Sequence, residues 1–154
     1  MLLLTIPYEI HTAVKNESSL TGKPVRQILL DKLRRETVEK DFSPELKNNL
    51  LKLNEIKSLK RNWNGNKAKP IAKYLVNKTK YLIINLNKQP QIFPTANDSI
   101  QLEYDGENKS YLEFQITKKN QISYYTVDKN GNEDTGLLPA TSFAINNFVK
   151  EFYD

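Results

Sequence analysis

The chain has no cysteine among its 154 residues, which excludes disulfides, thiolate metal sites and thiol nucleophiles. It has a single histidine, His11. Zinc centres and hydrolytic triads that rely on imidazoles are therefore out of reach, and His11 reads as an ordinary surface or edge residue of a first helix. The five glycines form neither a phosphate-cradling loop nor a nucleophile elbow, and no acidic cluster has metal-ligand spacing. No stretch approaches the ~18 consecutive apolar residues that a membrane span needs. The opening Leu triplet lacks the basic start and the length of a secretory signal. These absences lead us to expect a cytoplasmic protein that is not an enzyme, carries no metal or cofactor, and has no membrane association.

What is present is charge, unevenly placed. The net charge is +5. Residues 44–90 hold eleven Lys/Arg against two acids, whereas residues 91–154 hold five against ten. The positive potential belongs to the middle of the chain, and a basic stretch of this kind faces solvent or an anionic partner.

In chain order, Leu2 to Ile6 reads as a short strand and Pro7 marks a helix start. A helix to about Leu20 follows, with Ile10, Ala13, Val14 and Leu20 at helical spacing. Gly22 closes it, because glycine accepts the left-handed conformation of a helix end. Pro24 opens a second helix striped by Val25, Ile28, Leu29 and Leu33. A strand and two helices in under 40 residues cannot bury a core alone. Such a unit must pair with a copy of itself or pack on another surface.

The pattern I-P-x-E-I, A-V, T-G-K-P-V, I-L-L-D-K-L over residues 1–38 resembles the ribbon-helix-helix family, typified by the Arc and MetJ repressors. The resemblance implies a homodimer whose paired strands enter the DNA major groove. Leu2, Leu4 and Ile6 would be core, with Met1, Leu3 and Thr5 facing the bases. Lys23 and Arg26 would hold phosphates beside the amides that open the second helix. Met1 and Leu3 depart from the pattern, since bases are read with donors and acceptors and only Thr5 offers one. Three explanations stay open: weak sequence discrimination, a unit that only dimerises, or a start codon upstream. The resemblance further implies a transcriptional regulator, with small members acting as antitoxins that repress their own operon and bind a toxin. The alternative is a dimeric interaction protein whose basic helical region binds an acidic protein or RNA.

The boundary falls at 42/43, giving a module over 1–42 and an α+β domain over 43–154. Ser43-Pro44-Glu45 is a helix start for a helix to about Arg61, striped by Leu46, Leu50, Leu53 and Ile56. Asn62 to Asn66 breaks it. Pro70 opens a helix to about Lys88, with Ile71, Leu75, Thr79, Leu82, Ile83 and Leu86 inward. Gln91–Phe93 is a strand stopped by Pro94. Ser99–Tyr104, Tyr111–Thr117 and Gln121–Val127 alternate as strands, and 128–136 reads as a polar loop. Residues 141–153 read as a last helix, with Phe143, Ile145, Phe148, Val149 and Phe152 covering the sheet. The expected fold is an antiparallel meander of three to four strands with helices on a single side. The N-W-N-G-N-K-A-K-P-I turn and the later P-T and I-Q-L-E-Y segments resemble a group of uncharacterised bacterial proteins, which implies a shared fold and no chemistry.

Three places carry candidate sites. The Asn62–Ile71 turn gathers Trp63 with Lys60, Arg61, Lys67 and Lys69. A ring among cations can hold single-stranded nucleic acid or a phosphate-bearing ligand; the alternative has Trp63 plugging the core while Asn62 and Asn64 cap helix ends and the lysines form a solvated face. Glu103 and Glu113 share the polar face of adjacent strands. Opposed like charges are unfavourable, so lysines from the basic helical region, or a partner, are expected to neutralise them, and an acid pair for metal or glycoside chemistry is the competing reading. The Asp128–Gly136 loop begins like a calcium loop, but its twelfth position is Pro139 and its glycine falls at the fourth; it reads as a hairpin turn.

Overall fold

The computed structural model describes residues 8–38 and 42–154, with side chains over 11–32 and 42–154. The expected strand over Leu2–Ile6, including Leu3 and Thr5, lies outside the described residues, as do the side chains of Ile10 and Leu33. The chain divides into two compact units, Met1–Phe42 and Ser43–Asp154.

In the first unit, α1 (Tyr8–Thr21) and α2 (Val25–Val38) meet at Gly22, whose φ of 70° is the left-handed value that glycine takes at a helix end. The corner is tied by side chains. Thr21 Oγ1 donates to the Glu17 carbonyl at 2.7 Å, Ser18 Oγ donates to the Lys23 carbonyl at 2.7 Å, and Lys32 Nζ reaches Glu17 Oε2 at 2.8 Å. Val14 and Ile28 are buried. Ala13 and Leu20, expected on the inner face of α1, are exposed: one helix partner covers one side of α1, and a single unit has nothing to lay over the rest.

The second unit is α+β. Helix α3 (Pro44–Lys57) starts as its sequence dictates, with Ser43 Oγ accepting the Leu46 amide at 3.2 Å and Pro44 in the first turn. Asn49, not Leu50, joins Leu46, Leu53 and Ile56 on its buried face. The Asn49 side-chain amide donates to Gln89 Oε1 at 3.1 Å and to the Pro90 carbonyl at 2.9 Å, satisfying groups that burial would otherwise orphan. Both helix spans are shorter than expected. α3 ends at Lys57, where the Ser58 and Leu59 amides tighten onto the Glu55 and Ile56 carbonyls, and Asn62 then turns the chain with φ 66°. α4 (Lys73–Ile84) starts three residues after Pro70, where Asp98 Oδ1 accepts the Ala72 amide at 3.2 Å. It stops where Asn146 takes both the Asn85 carbonyl and the Asn87 amide.

The sheet has five strands in sequence order, all antiparallel: β1 (Gln91–Thr95), β2 (Ser99–Asp105), β3 (Tyr111–Ile116), β4 (Gln121–Val127) and β5 (Glu133–Pro139). Two expectations are corrected here. Pro94 does not stop β1, because an edge strand tolerates a missing donor, and it pairs with Ile100. The end of the supposed 128–136 loop, from Glu133 on, belongs to β5, leaving a turn closed by Asp128, whose Oδ1 accepts the Asn130 and Asn132 amides. β5 escaped the pattern because Leu137 is 62% exposed and Gly136 offers no side chain. Glycine is needed there, since a Cβ would lie 2.6 Å from the Tyr124 ring.

Inward, Ile92, Ile100, Leu102, Leu112, Phe114, Ile116 and Ile122 are fully buried. Helix α5 (Ser142–Tyr153) lays Ile145, Phe148 and Val149 on this face; the Phe148 ring meets Phe114 edge-on at 5.8 Å and Tyr124 at 4.5 Å. Phe143, expected to cover the sheet, is 75% exposed, because the apolar face of α5 needs only the 145/148/149/152 stripe.

Candidate nucleic-acid interface

The corner of the first unit exposes Lys23 and Arg26 at the start of α2. Lys23 Nζ stands 3.8 Å from Asp31 Oδ2 with more than half of its side chain exposed, a contact too long and too wet to hold it. The Gln27 and Ile28 amides turn back on the Pro24 carbonyl, so at this end of α2 the two cations stand beside the amides of Val25 and Arg26.

In the second unit the α3–α4 turn is built by hydrogen bonds within itself. The Asn62 amide donates to the Ala68 carbonyl at 2.7 Å, Asn62 Oδ1 accepts the Lys67 amide at 2.8 Å, and Asn64 Oδ1 accepts the amides of Asn66 and Ala68 at 2.9 and 3.2 Å. Trp63 is half-buried rather than a core plug. Its Nε1 donates to the Lys69 carbonyl at 3.0 Å, so the ring braces the turn while Ala68 and Ile71 fill the interior. Asn62 and Asn64 cap the turn's own amides instead of helix ends. Closure at Asn62–Ala68 draws Lys60 and Arg61 alongside Lys67 and Lys69, and all four are exposed.

Not every lysine of the basic stretch is free for a ligand. Lys78 Nζ donates to the Thr117 carbonyl at 2.8 Å and to the Lys119 carbonyl, and burial lowers its pKa. Lys52 lies 4.3 Å over the Phe93 ring and Lys88 3.5 Å over Tyr153. Reasoning from sequence missed a feature of α4. Lys73-Tyr74 recurs as Lys80-Tyr81, seven residues on, which is two helical turns and the same face. Tyr74 is 59% and Tyr81 77% exposed. The repeat was available as a spacing signal in the sequence.

Glu103 and Glu113 stand directly opposite in the β2–β3 register. Among the described residues, no lysine makes an ion pair with either. Gln101 Nε2 donates to both carboxylates and the Tyr111 hydroxyl donates to Glu113 Oε2 at 2.7 Å. Burial raises the Glu103 pKa, with Glu113 and Asp105 pushing the same way and Tyr111 and Lys52 opposing. The outward strand positions carry Glu103, Asp105, Glu113 and Glu133 with no lysine or arginine. Among the described residues, no group of three or more His, Asp or Glu side chains is placed to hold a metal ion, and no helix is long and apolar enough to cross a membrane. His11 is exposed. No protein-family model, curated protein or solved structure matches the chain.

Proposed function

We propose that the chain is a dimeric, DNA-binding transcriptional regulator of the ribbon-helix-helix type. It works in the cytoplasm as an antitoxin that represses its own operon and engages a toxin through the 43–154 domain. The observation that carries this reading is the α1–Gly22–α2 corner. Two fourteen-residue helices bury Val14 and Ile28 while leaving Leu20 87% and Leu30 43% exposed, and the corner presents Lys23 and Arg26. Covering an exposed leucine stabilises by about 1.5–3 kcal/mol, so a second copy laid on these faces gains on the order of several kcal/mol per protomer. Pairing two copies also doubles the cations offered to phosphate, and binding then weakens steeply with salt.

A second reading has its own support. Met1 and Leu3 bring no base-reading donor to the ribbon, and the exposed Lys60, Arg61, Lys67 and Lys69 offer an anionic protein or RNA a surface of its own. The test is a titration of duplex DNA from upstream of the gene against a scrambled duplex at two salt concentrations, for wild type and a Lys23→Ala/Arg26→Ala variant. Tight, salt-dependent preference for the upstream duplex, lost in the variant, is expected. Equal binding to both duplexes would refute the regulator reading and favour the dimeric interaction protein.

A further inference from the structure

The second unit is electrically two-sided. Four acids and no bases stand on the outward strand positions of its sheet. α4 contains no acid at all, and α3 with the following turn brings Lys57, Lys60, Arg61, Lys67 and Lys69 to the surface. Opposite charges distributed this way orient a body in the field of a polyanion.

Three features of the basic side coincide. The turn brings four exposed cations together: none of the four makes an ion pair within 4.0 Å among the described residues, although the Lys69 charge acts on the nearby Asp98 carboxylate. The backbone holds Lys67 at φ 64°, a conformation a long L side chain rarely takes, so the loop keeps strain in order to keep its shape. Immediately after the turn, α4 sets Lys73/Tyr74 and Lys80/Tyr81 on one outward face, about 10 Å apart along the helix axis. Lysine ammonium and tyrosine hydroxyl are both phosphate donors, and that separation matches roughly three steps of one strand of duplex DNA.

We propose that the α3–α4 turn and the outward stripe of α4 form a second contact with the phosphate backbone of duplex DNA, separate from Lys23 and Arg26. The inference rests on the DNA-binding reading and names where else on the chain the duplex is held. The strip carries no base specificity. It adds affinity and salt dependence to whatever sequence preference the first unit has, and it leaves the acidic sheet face turned away from the DNA.

The test uses the full chain and a fluorescent mixed-sequence duplex, with affinity measured across a salt series. The variants are Lys60→Ala/Arg61→Ala/Lys67→Ala/Lys69→Ala, a charge-keeping Lys60→Arg/Arg61→Lys/Lys67→Arg/Lys69→Arg, and Lys23→Ala/Arg26→Ala. Circular dichroism verifies folding. Each neutralised phosphate contributes about 0.9 to the slope of log affinity against log salt. The four-fold alanine variant should lower that slope by up to about 3.6 if all four cations meet phosphates, and the charge-keeping variant should restore it. An unchanged slope in the alanine variant, with a reduced slope in Lys23→Ala/Arg26→Ala, overturns the second contact and leaves the DNA-binding reading intact. The converse pattern keeps the strip and sinks the role of the first unit. Absence of duplex binding by wild type overturns both. Preferential binding of single-stranded RNA, lost in the four-fold variant, overturns the duplex assignment.

Discussion

Glu103→Gln should stabilise the folded 43–154 unit at neutral pH, and the gain should vanish in acid. Glu103 faces Glu113 across the β2–β3 pair, and the Glu103 pKa is raised from its ordinary value of 4.5, first by burial and then by Glu113 and Asp105. A carboxyl that binds its proton more tightly folded than unfolded contributes stability that is fully present below pH 4.5 and lost as pH rises through the raised folded value. Above that window wild type carries the cost and a glutamine does not. The replacement is nearly isosteric, and its side-chain carbonyl can still accept from Gln101 Nε2, which now lies 3.0 Å from Glu103 Oε1. Directly opposed cross-strand pairs are worth about 0.2–1 kcal/mol, so the variant should gain about that much in urea unfolding at pH 7.5 and nothing beyond error at pH 4. Because wild type and variant are compared at each pH, the titration of carboxyls not coupled to Glu103 cancels, and only Glu113 and Asp105 respond to the change. In a Glu113→Gln background the gain should shrink but persist, because burial, the largest cause of the shift, remains. A loss of stability at pH 7.5, or an equal gain at both pH values, would refute the reasoning.

Other sites test the packing. Phe114→Ala removes a fully buried ring that meets Tyr104 and Phe148 edge-on, and should cost about 3–5 kcal/mol in urea unfolding. Asn49→Ala strands the Pro90 carbonyl and Gln89 side chain and should cost about 1–3 kcal/mol. Gly136→Ala drives a methyl into the Tyr124 ring, which Phe148 and Asp134 hold in place. It should cost about 1–3 kcal/mol, and Tyr124→Leu should recover part of the loss. Asp98→Asn weakens the bridge to Lys118 at 2.9 Å. The Asp98 pKa is lowered, chiefly by the Lys118 hydrogen bond, so its contribution is present above pH 3.8 and fades as pH falls through the lowered value; the variant's deficit should shrink across that same acid range in thermal melts.

The most regular elements are the ones the sequence announces. Ile100/Leu102/Tyr104 and Leu112/Phe114/Ile116 alternate cleanly because both strands are central and have one wet face. Ser43-Pro44-Glu45 marks its helix because capping is local chemistry. What stays hidden depends on distant partners. Asn49 reads as polar until Pro90 and Gln89 come within reach. α4 begins late because Asp98, twenty-six residues on, takes the Ala72 amide. β5 is carried by its pairing to β4 rather than by its own side chains. The four cations of the α3–α4 turn are plain in composition, but their convergence needs Asn62 and Lys67 in left-handed conformations that neither residue advertises. The Lys-Tyr repeat on α4 is legible as spacing, yet its exposure follows only once the opposite face packs on the sheet.

The mass of the intact chain in solution, by light scattering across a dilution series, tests most directly whether the first unit pairs with a second copy. The expected mass is twice 17.9 kDa, falling toward the single-chain value in a Leu20→Glu/Leu30→Glu variant that keeps its circular dichroism. A wild-type mass of one chain at every concentration would contradict the dimer, and with it the reading of the α1–α2 corner as half of a DNA-binding unit.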